Sequence, residues 1–248
     1  MKINVSSFNP LTADIRGNKE RIVALLKAPA PMADLLLLPE AALCGCPMFD
    51  LFEDERLLKE NASALKEIAK ETQNTACVLG FQDKCGKEPV SAAAFLYKGK
   101  MTKIYDTETV EFKGKTLQIV LSDLENAPKL DADIILYIYA RPYEKGNVLE
   151  RLALLKKQAK KRGVPVVSCN LLGGGDGLIF DGLCAVANRK GELTLLGELF
   201  REHINTWDED EKPAPLSYEA DPRGEVLDAL SDGLGDFVQK AGYSKVVF

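Results

Sequence analysis

The run Leu35–Leu38 is apolar at every position and is closed by Pro39-Glu40. A strand of that kind cannot keep one face in water; it needs cover on both faces, as strands of parallel sheets have. A second apolar strand, Leu117–Leu121, breaks off into Ser122-Asp123. Both runs deliver a polar side chain at the carboxyl end of a strand, where parallel sheets carry their chemistry. A carboxylate at one end and a hydroxyl at the other amount to half of a hydrolytic site.

Amphipathic helices alternate with the strands. Asp54–Thr72 spaces Leu57, Leu58, Ala62, Leu65, Ile68 and Ala69 by threes and fours, the pattern of a helix with one buried face. Asn147–Arg162 does the same and stops at Gly163, a residue suited to a left-handed cap. Asn18 is the expected N-cap of a shorter helix carrying Ile22, Val23, Leu25 and Leu26. Strands are expected over Lys2–Phe8, Ala76–Gly80, Ala92–Tyr97, Met101–Asp106, Ile134–Tyr139, Pro165–Asn170, Leu183–Asn188 and Leu193–Leu199. Turn signals stand at Lys98-Gly99 and Arg189-Lys190-Gly191. The order of elements in the first half recurs in the second. This predicts an α/β fold: a pseudo-duplicated four-layer α-β-β-α sandwich, with two sheets inside and helices over the outer faces.

At 248 residues, 46% hydrophobic and 28% charged, the chain suits one sizeable α/β domain or two small ones. Net charge is −5 with both signs interspersed, and no basic patch interleaved with aromatics marks a nucleic-acid partner. No apolar run approaches the roughly 18–20 residues of a membrane span, so no membrane partner is expected. A strand begins at Lys2, leaving no room for a signal-peptide core, and the expected compartment is the cytoplasm. The six cysteines form neither a disulfide framework nor metal-binding pairs. Cys77, Cys169 and Cys184 fall in apolar strands, where free thiols act as small buried hydrophobes. His203 is the single histidine and stands among charged neighbours, at an expected solvated strand end. Acid–base chemistry must then come from Glu, Asp, Lys or Tyr, and no metal site is expected.

Asp208–Pro222 is acidic, holds Pro213, Pro215 and Pro222, and has little periodicity. Residues 208–224 therefore read as a linker after a domain of residues 1–207. Beyond it, Glu225–Lys240 puts Val226, Leu227, Leu230, Leu234, Phe237 and Val238 on one helical face, and Ser244–Phe248 begins an apolar strand. One helix and one strand cannot bury each other: this tail either docks on the main domain or opens a second one. Gly173-Gly174-Gly175 lacks the following helix of a phosphate cradle and reads as a tight turn near the pocket.

LLLLPEAALCGCPMFDLF (Leu35–Phe52) resembles the signature of the nitrilase-type carbon–nitrogen hydrolases, in particular the N-terminal glutaminase domains of glutamine-dependent NAD+ synthetases. FNPLTADIRGN (Phe8–Asn18), ARPYEKGN (Ala140–Asn147) and CNLLGGGDGLIFDGLCAV (Cys169–Val186) are similar to the same family, so the likeness spans nearly all of residues 1–207. EVLDALSDGLGDFVQKAGYSKVVF (Glu225–Phe248) resembles the start of the family's ATP-using synthetase domain, up to an expected glycine- and serine-rich phosphate loop. The resemblance implies the carbon–nitrogen hydrolase sandwich, a dimer or larger homo-oligomer, glutamine or another small amide as ligand, and an NAD+ synthetase catalytic domain as partner. It implies no cofactor for residues 1–207; ATP and Mg2+ go with the synthetase domain.

Family members hydrolyse amides with a Glu, a Lys and a Cys. The Glu takes the thiol proton, the sulfur attacks the amide carbon, the Lys steadies the oxyanion, and water later releases the acid from a thioester. Glu40 matches the Glu. SDLENAP (Ser122–Pro128) aligns without a gap on the family's nucleophile stretch and puts Ser122 in place of the Cys. The loop bearing the Lys looks deleted, because Met101–Val120 joins two strands with almost nothing between; Lys103, Lys113 and Lys115 read as surface lysines. Arg141 replaces a small pocket residue and is expected to pair with Glu40, while Tyr143 and Asp123 complete the expected substrate-binding set. The sequence leaves open a hydrolase domain retired from catalysis and kept as scaffold, a working amidase using Ser122 or a relocated Cys, and a module that binds an amide without turnover. Losing the nucleophile and the oxyanion-stabilising cation together favours the first.

Overall fold

Residues 1–28, 33–86 and 88–247 are described by a computed structural model. β1 (Lys2–Ser7), β2 (Leu35–Leu37) and β3 (Ala76–Cys85) pair in parallel; β4 (Glu88–Tyr97) and β5 (Lys100–Ile104) extend the sheet antiparallel. β6 (Thr107–Phe112) crosses to a second sheet and pairs antiparallel with β7 (Lys115–Leu121), which runs parallel with β8 (Ile134–Tyr139) and β9 (Val166–Asn170). β10 (Leu172–Gly175) and β11 (Leu178–Asp181) form a separate hairpin. β12 (Cys184–Ala187) and β13 (Leu193–Leu196) complete the second sheet antiparallel, and β14 (His203–Asp208) returns to the first beside β1.

The sheet orders are β14-β1-β2-β3-β4-β5 and β6-β7-β8-β9-β12-β13. Each reads as an antiparallel edge strand, three parallel strands and two antiparallel ones. The expected duplication is therefore present in the topology.

Three cores hold the layers together. Ile3, Val5, Leu35, Leu37 and Val78 from one sheet meet Leu117, Ile119, Leu136 and Val167 from the other. Leu36, Leu38, Cys77 and Leu79 face outward against Ile15 and Ile22 of α1 (Ile15–Lys27) and Leu65 and Ile68 of α2 (Glu55–Glu71). Val120, Ile135 and Tyr137 face Val148, Leu152 and Leu155 of α3 (Asn147–Arg162). This explains the run of leucines: alternate residues serve the inter-sheet core and the helix core, and burial of each contributes roughly 1.5–3 kcal/mol.

The helix ends follow local chemistry. Asp54 caps α2 by accepting the Arg56 amide at 2.8 Å, and Gly163 closes α3 in the left-handed region at φ 74°. The expected Asn18 cap is corrected: Asp14 caps α1 through the Gly17 amide at 2.9 Å. Asn18 lies one turn inside the helix, buried, with its amide on the Leu11 and Leu43 carbonyls. The stretch between β5 and β7 is also corrected, since it contains β6.

The tail docks as α4 (Pro222–Lys240) against the β10–β11 hairpin, by the face opposite to the expected one. Glu225, Ala229 and Asp236 are buried, while Leu227 and Phe237 are 65% and 63% exposed. Asp236 accepts hydrogen bonds from Asn9 Nδ2 at 2.9 Å and the Gly174 amide at 2.6 Å. Lys240 Nζ bridges the same groups, donating to Asn9 Oδ1 and to the Gly174 carbonyl. A Cβ at Gly174 would lie 2.9 Å from Gly233 Cα, so two glycines set the approach of helix to hairpin. The triple glycine lies wholly in strand β10, so the expected turn is corrected; it falls at Asp176-Gly177. Residues 244–247 form no strand, and Phe248 lies outside the described residues. Among the described residues, no helix is long and apolar enough to cross a membrane.

Candidate active site

Three parallel strands of the two sheets end together. β2 runs into Pro39-Glu40, and the Gly80 amide of β3 donates to the Pro39 carbonyl at 3.0 Å. A Cβ at Gly80 would sit 2.4 Å from Glu40 Cα, so the turn carrying Glu40 rests directly on the β3 backbone. β7 runs into Ser122, whose φ of 64° is left-handed, a conformation that disfavours residues bearing a Cβ. Its amide still donates to the Ile138 carbonyl of β8 at 3.0 Å, and its carbonyl accepts the Tyr137 hydroxyl at 3.1 Å. β8 ends at Ala140.

These ends meet on one oxygen. Ser122 Oγ donates to Glu40 Oε2 at 2.7 Å, and the Ala140 amide donates to the same atom at 3.1 Å. The hydroxyl proton thus already points at a carboxylate, the orientation a general base requires. Glu40 is half-buried and Ser122 exposed.

The remaining expected residues divide around this pair. Asp123 follows Ser122 and accepts from the Asn126 amide and side chain; those bonds, with a smaller contribution from the Arg141 charge, hold its carboxyl below the usual range. Arg141 follows Ala140 and is exposed. Asn170 clamps its backbone on both sides, accepting from Arg141 N at 2.9 Å and donating to Arg141 O at 3.0 Å. Among the described residues its guanidinium makes no ion pair with Glu40; its charge acts on Asp123 and Tyr137. Tyr143 points elsewhere: its ring packs edge-on against Phe200, and its hydroxyl lies 3.4 Å from Glu225 of α4. Burial, then Glu225, pushes that phenol up to about 12.

Each lysine of residues 101–120 has another carboxylate. Lys103 Nζ lies 2.6 Å from Asp83, Lys115 Nζ lies 2.7 Å from Glu209, and Lys113 pairs with Asp34. Among the described residues no lysine is bonded to Glu40. Cys44 is fully buried with its thiol toward the Ala41 carbonyl. Cys46 lies within the electrostatic reach of Glu40, and burial together with that charge pushes its thiol up to about 11. Neither sulfur is a thiolate nucleophile at neutral pH. Among the described residues no cluster of side chains suits a metal ion.

Tyr137, the Ala140 amide and Asn170 were not legible in the sequence. Ala140 follows an apolar strand, and that position was the one signal that could have found it.

No family profile matches the sequence. The chain is 26% identical over 284 residues to the glutamine-dependent NAD(+) synthetase of Acinetobacter baylyi, covering 99% of this chain and 52% of that protein. It is 28% identical over 317 residues to the Thermotoga maritima protein of the same name, covering 100% of this chain and 55% of the relative. Among solved structures, the Acinetobacter baumannii glutamine-dependent NAD+ synthetase aligns with a TM-score of 0.90 at 22% identity, over 99% of this chain and 53% of that one. A variant of the Nesterenkonia AN1 amidase, from the nitrilase superfamily, aligns with a TM-score of 0.73 at 16% identity, over 83% and 89% of the two chains. The sandwich has the fold of the nitrilase-superfamily amidase. The chain is a homologue of the glutamine-dependent NAD+ synthetases, and it spans about half the length of the curated relatives it matches.

Proposed function

We propose that this chain is the glutaminase-type part of an NAD+ synthetase-like protein in which amide hydrolysis is lost or severely impaired, and that it serves as scaffold and docking partner for an ammonia-using synthetase part. The observation that carries this is the Ser122 hydroxyl, 2.7 Å from Glu40 where the family's thiol is expected. A thiol is a few per cent ionised at neutral pH and strongly nucleophilic; a hydroxyl needs a much stronger base. Carboxylates titrate near pH 4 and are poor bases toward an alcohol. The lysines that could steady an oxyanion are bonded to Asp83, Asp34 and Glu209, and loss of one oxyanion donor costs about 100- to 1000-fold in rate.

The docking half of the proposal rests on α4. Leu227, Leu230, Leu234 and Phe237 are 65%, 62%, 47% and 63% exposed and follow one another by three, four and three residues, the spacing of a helix-packing seam. The curated relatives are about twice as long, and the ATP-using part of such a protein is the occupant this seam suits. ATP and Mg2+ belong to that part, and assembly is as a homo-oligomer. Ammonia release from L-glutamine and other small amides, measured at high protein concentration, stays at buffer background. Sustained release abolished by Glu40→Gln would overturn the impairment. The hydrogen bond from Ser122 to Glu40 favours a working serine amidase as the second reading, and the same assay decides between them.

A further inference from the structure

Cys169 on β9 and Cys184 on β12 stand directly opposite in an antiparallel pair. The neighbouring pair is bonded, Asn170 N to Leu183 O at 3.0 Å, so 169 and 184 occupy a non-hydrogen-bonded position, where opposed Cα atoms come within about 4.5 Å. That spacing lies inside the range a disulfide spans. Their sulfurs lie in hydrogen-bond contact at 3.8 Å with no disulfide between them, and both side chains are fully buried between the sheets.

The first sheet supplies a base. His203 on β14 is half-buried, not solvated as its charged neighbours suggested. Its Nδ1 is held by Ser7 Oγ at 3.1 Å and the Arg201 carbonyl at 2.9 Å, and its charge acts on the Cys184 thiol. Nε2 is buried with no hydrogen-bond partner among the described residues, so its lone pair is free to take a proton. The Cys169 thiol donates to the Ser6 carbonyl at 3.1 Å.

We propose that Cys169 and Cys184 are an oxidisable pair, a modification site at which hydrogen peroxide closes a cross-strand disulfide between β9 and β12 with His203 as the proton acceptor. The Cys184 sulfur, its proton taken by His203, attacks one peroxide oxygen; the O–O bond breaks, giving a sulfenic acid and, after protonation, one water. The Cys169 sulfur then displaces the hydroxyl from Cys184: the S–S bond forms, and a second water carries away the oxygen. Two thiols lose two electrons in all, and one peroxide becomes two waters. The electrostatics agree: burial raises the Cys184 thiol, and the influence of Cys169 and of the His203 imidazole outweighs it and lowers it. Burial restricts the oxidant to a small neutral molecule. Closure draws the sulfurs together from 3.8 Å to about 2 Å, next to Asn170, the residue that clamps Arg141.

The test is non-reducing peptide mapping of the intact chain after peroxide treatment and alkylation under denaturing conditions. Cys85 is exposed and reports that oxidant was delivered. A peptide linking Cys169 to Cys184, lighter by two hydrogens and released by dithiothreitol, is the expected result. Cys85 oxidised while Cys169 and Cys184 both remain alkylated overturns the proposal, as does Cys184 stopped at sulfenic or sulfinic acid. His203→Gln slows closure by about tenfold, since the thiolate fraction sets the rate; closure at the unchanged rate removes His203 from the step. Where that variant fails to fold, the mapping of the unaltered chain decides alone.

Discussion

Glu40 Oε2 accepts two hydrogen bonds at once, from the Ser122 hydroxyl at 2.7 Å and from the Ala140 amide at 3.1 Å. The three residues come from the ends of three different strands, 82 and 100 positions from Glu40 in sequence. Removing one member therefore disturbs the meeting point of both sheets as well as the chemistry.

Ser122 carries opposing contributions to stability. Its hydroxyl bonds a carboxylate, while its Cβ sits in a left-handed conformation at φ 64°. Ser122→Ala loses the bond and keeps the strain; Ser122→Gly loses both. The glycine variant is expected to be more stable than the alanine variant by about 1 kcal/mol, read from urea unfolding of the pair.

Ser122→Cys supplies a sulfur but no cation. Ammonia release from glutamine is expected to stay at background, because Lys103 remains on Asp83 and the oxyanion finds no ammonium. Turnover produced by this single change would show that a sulfur alone suffices.

Gly80 is needed for lack of a side chain rather than for its dihedral freedom. A Cβ there would lie 2.4 Å from Glu40 Cα and 2.6 Å from Ala41 N, backbone atoms that cannot turn aside. Gly80→Ala is expected to destabilise the fold by about 1–3 kcal/mol, the range for overpacked cores, with a matching fall in the urea midpoint.

Asp232 makes the docking of α4 sensitive to pH. Burial first and the Asp236 charge second raise its carboxyl to about 6, and its Oδ2 is buried without a partner among the described residues. The folded chain thus holds a proton that the unfolded chain releases at about pH 4. Stability falls as pH rises from about 4 to 6, and the penalty is complete above that window. Asp232→Asn is expected to be more stable than the unaltered chain by about 1 kcal/mol at pH 7.5, the figure discounted for the partial exposure of the group, with little difference at about pH 4. Equal gains at both values would remove Asp232 as the titrating group.

Much of this architecture was written locally. Leu35–Leu38 demanded cover on both faces, and Asp54–Thr72 matched α2 with its two caps, because side-chain periodicity and capping depend on neighbours a few residues away. The strand-end positions of Glu40 and Ser122 were legible for the same reason. Contacts between distant segments were not. The apolar face of α4 was plain, yet the helix buries Glu225 and Asp236 instead, because Gly233 meets Gly174 and Lys240 neutralises Asp236. Arg141 was expected on Glu40, and the Ala140 amide stands there in its place. His203 looked solvated among charges, and β14 carries it inward to Ser7. Periodicity states which face of an element is apolar, and the packing of the two sheets chose the neighbour for each face, since hydrogen bonds and ion pairs form only between groups the whole fold brings within about 3 Å.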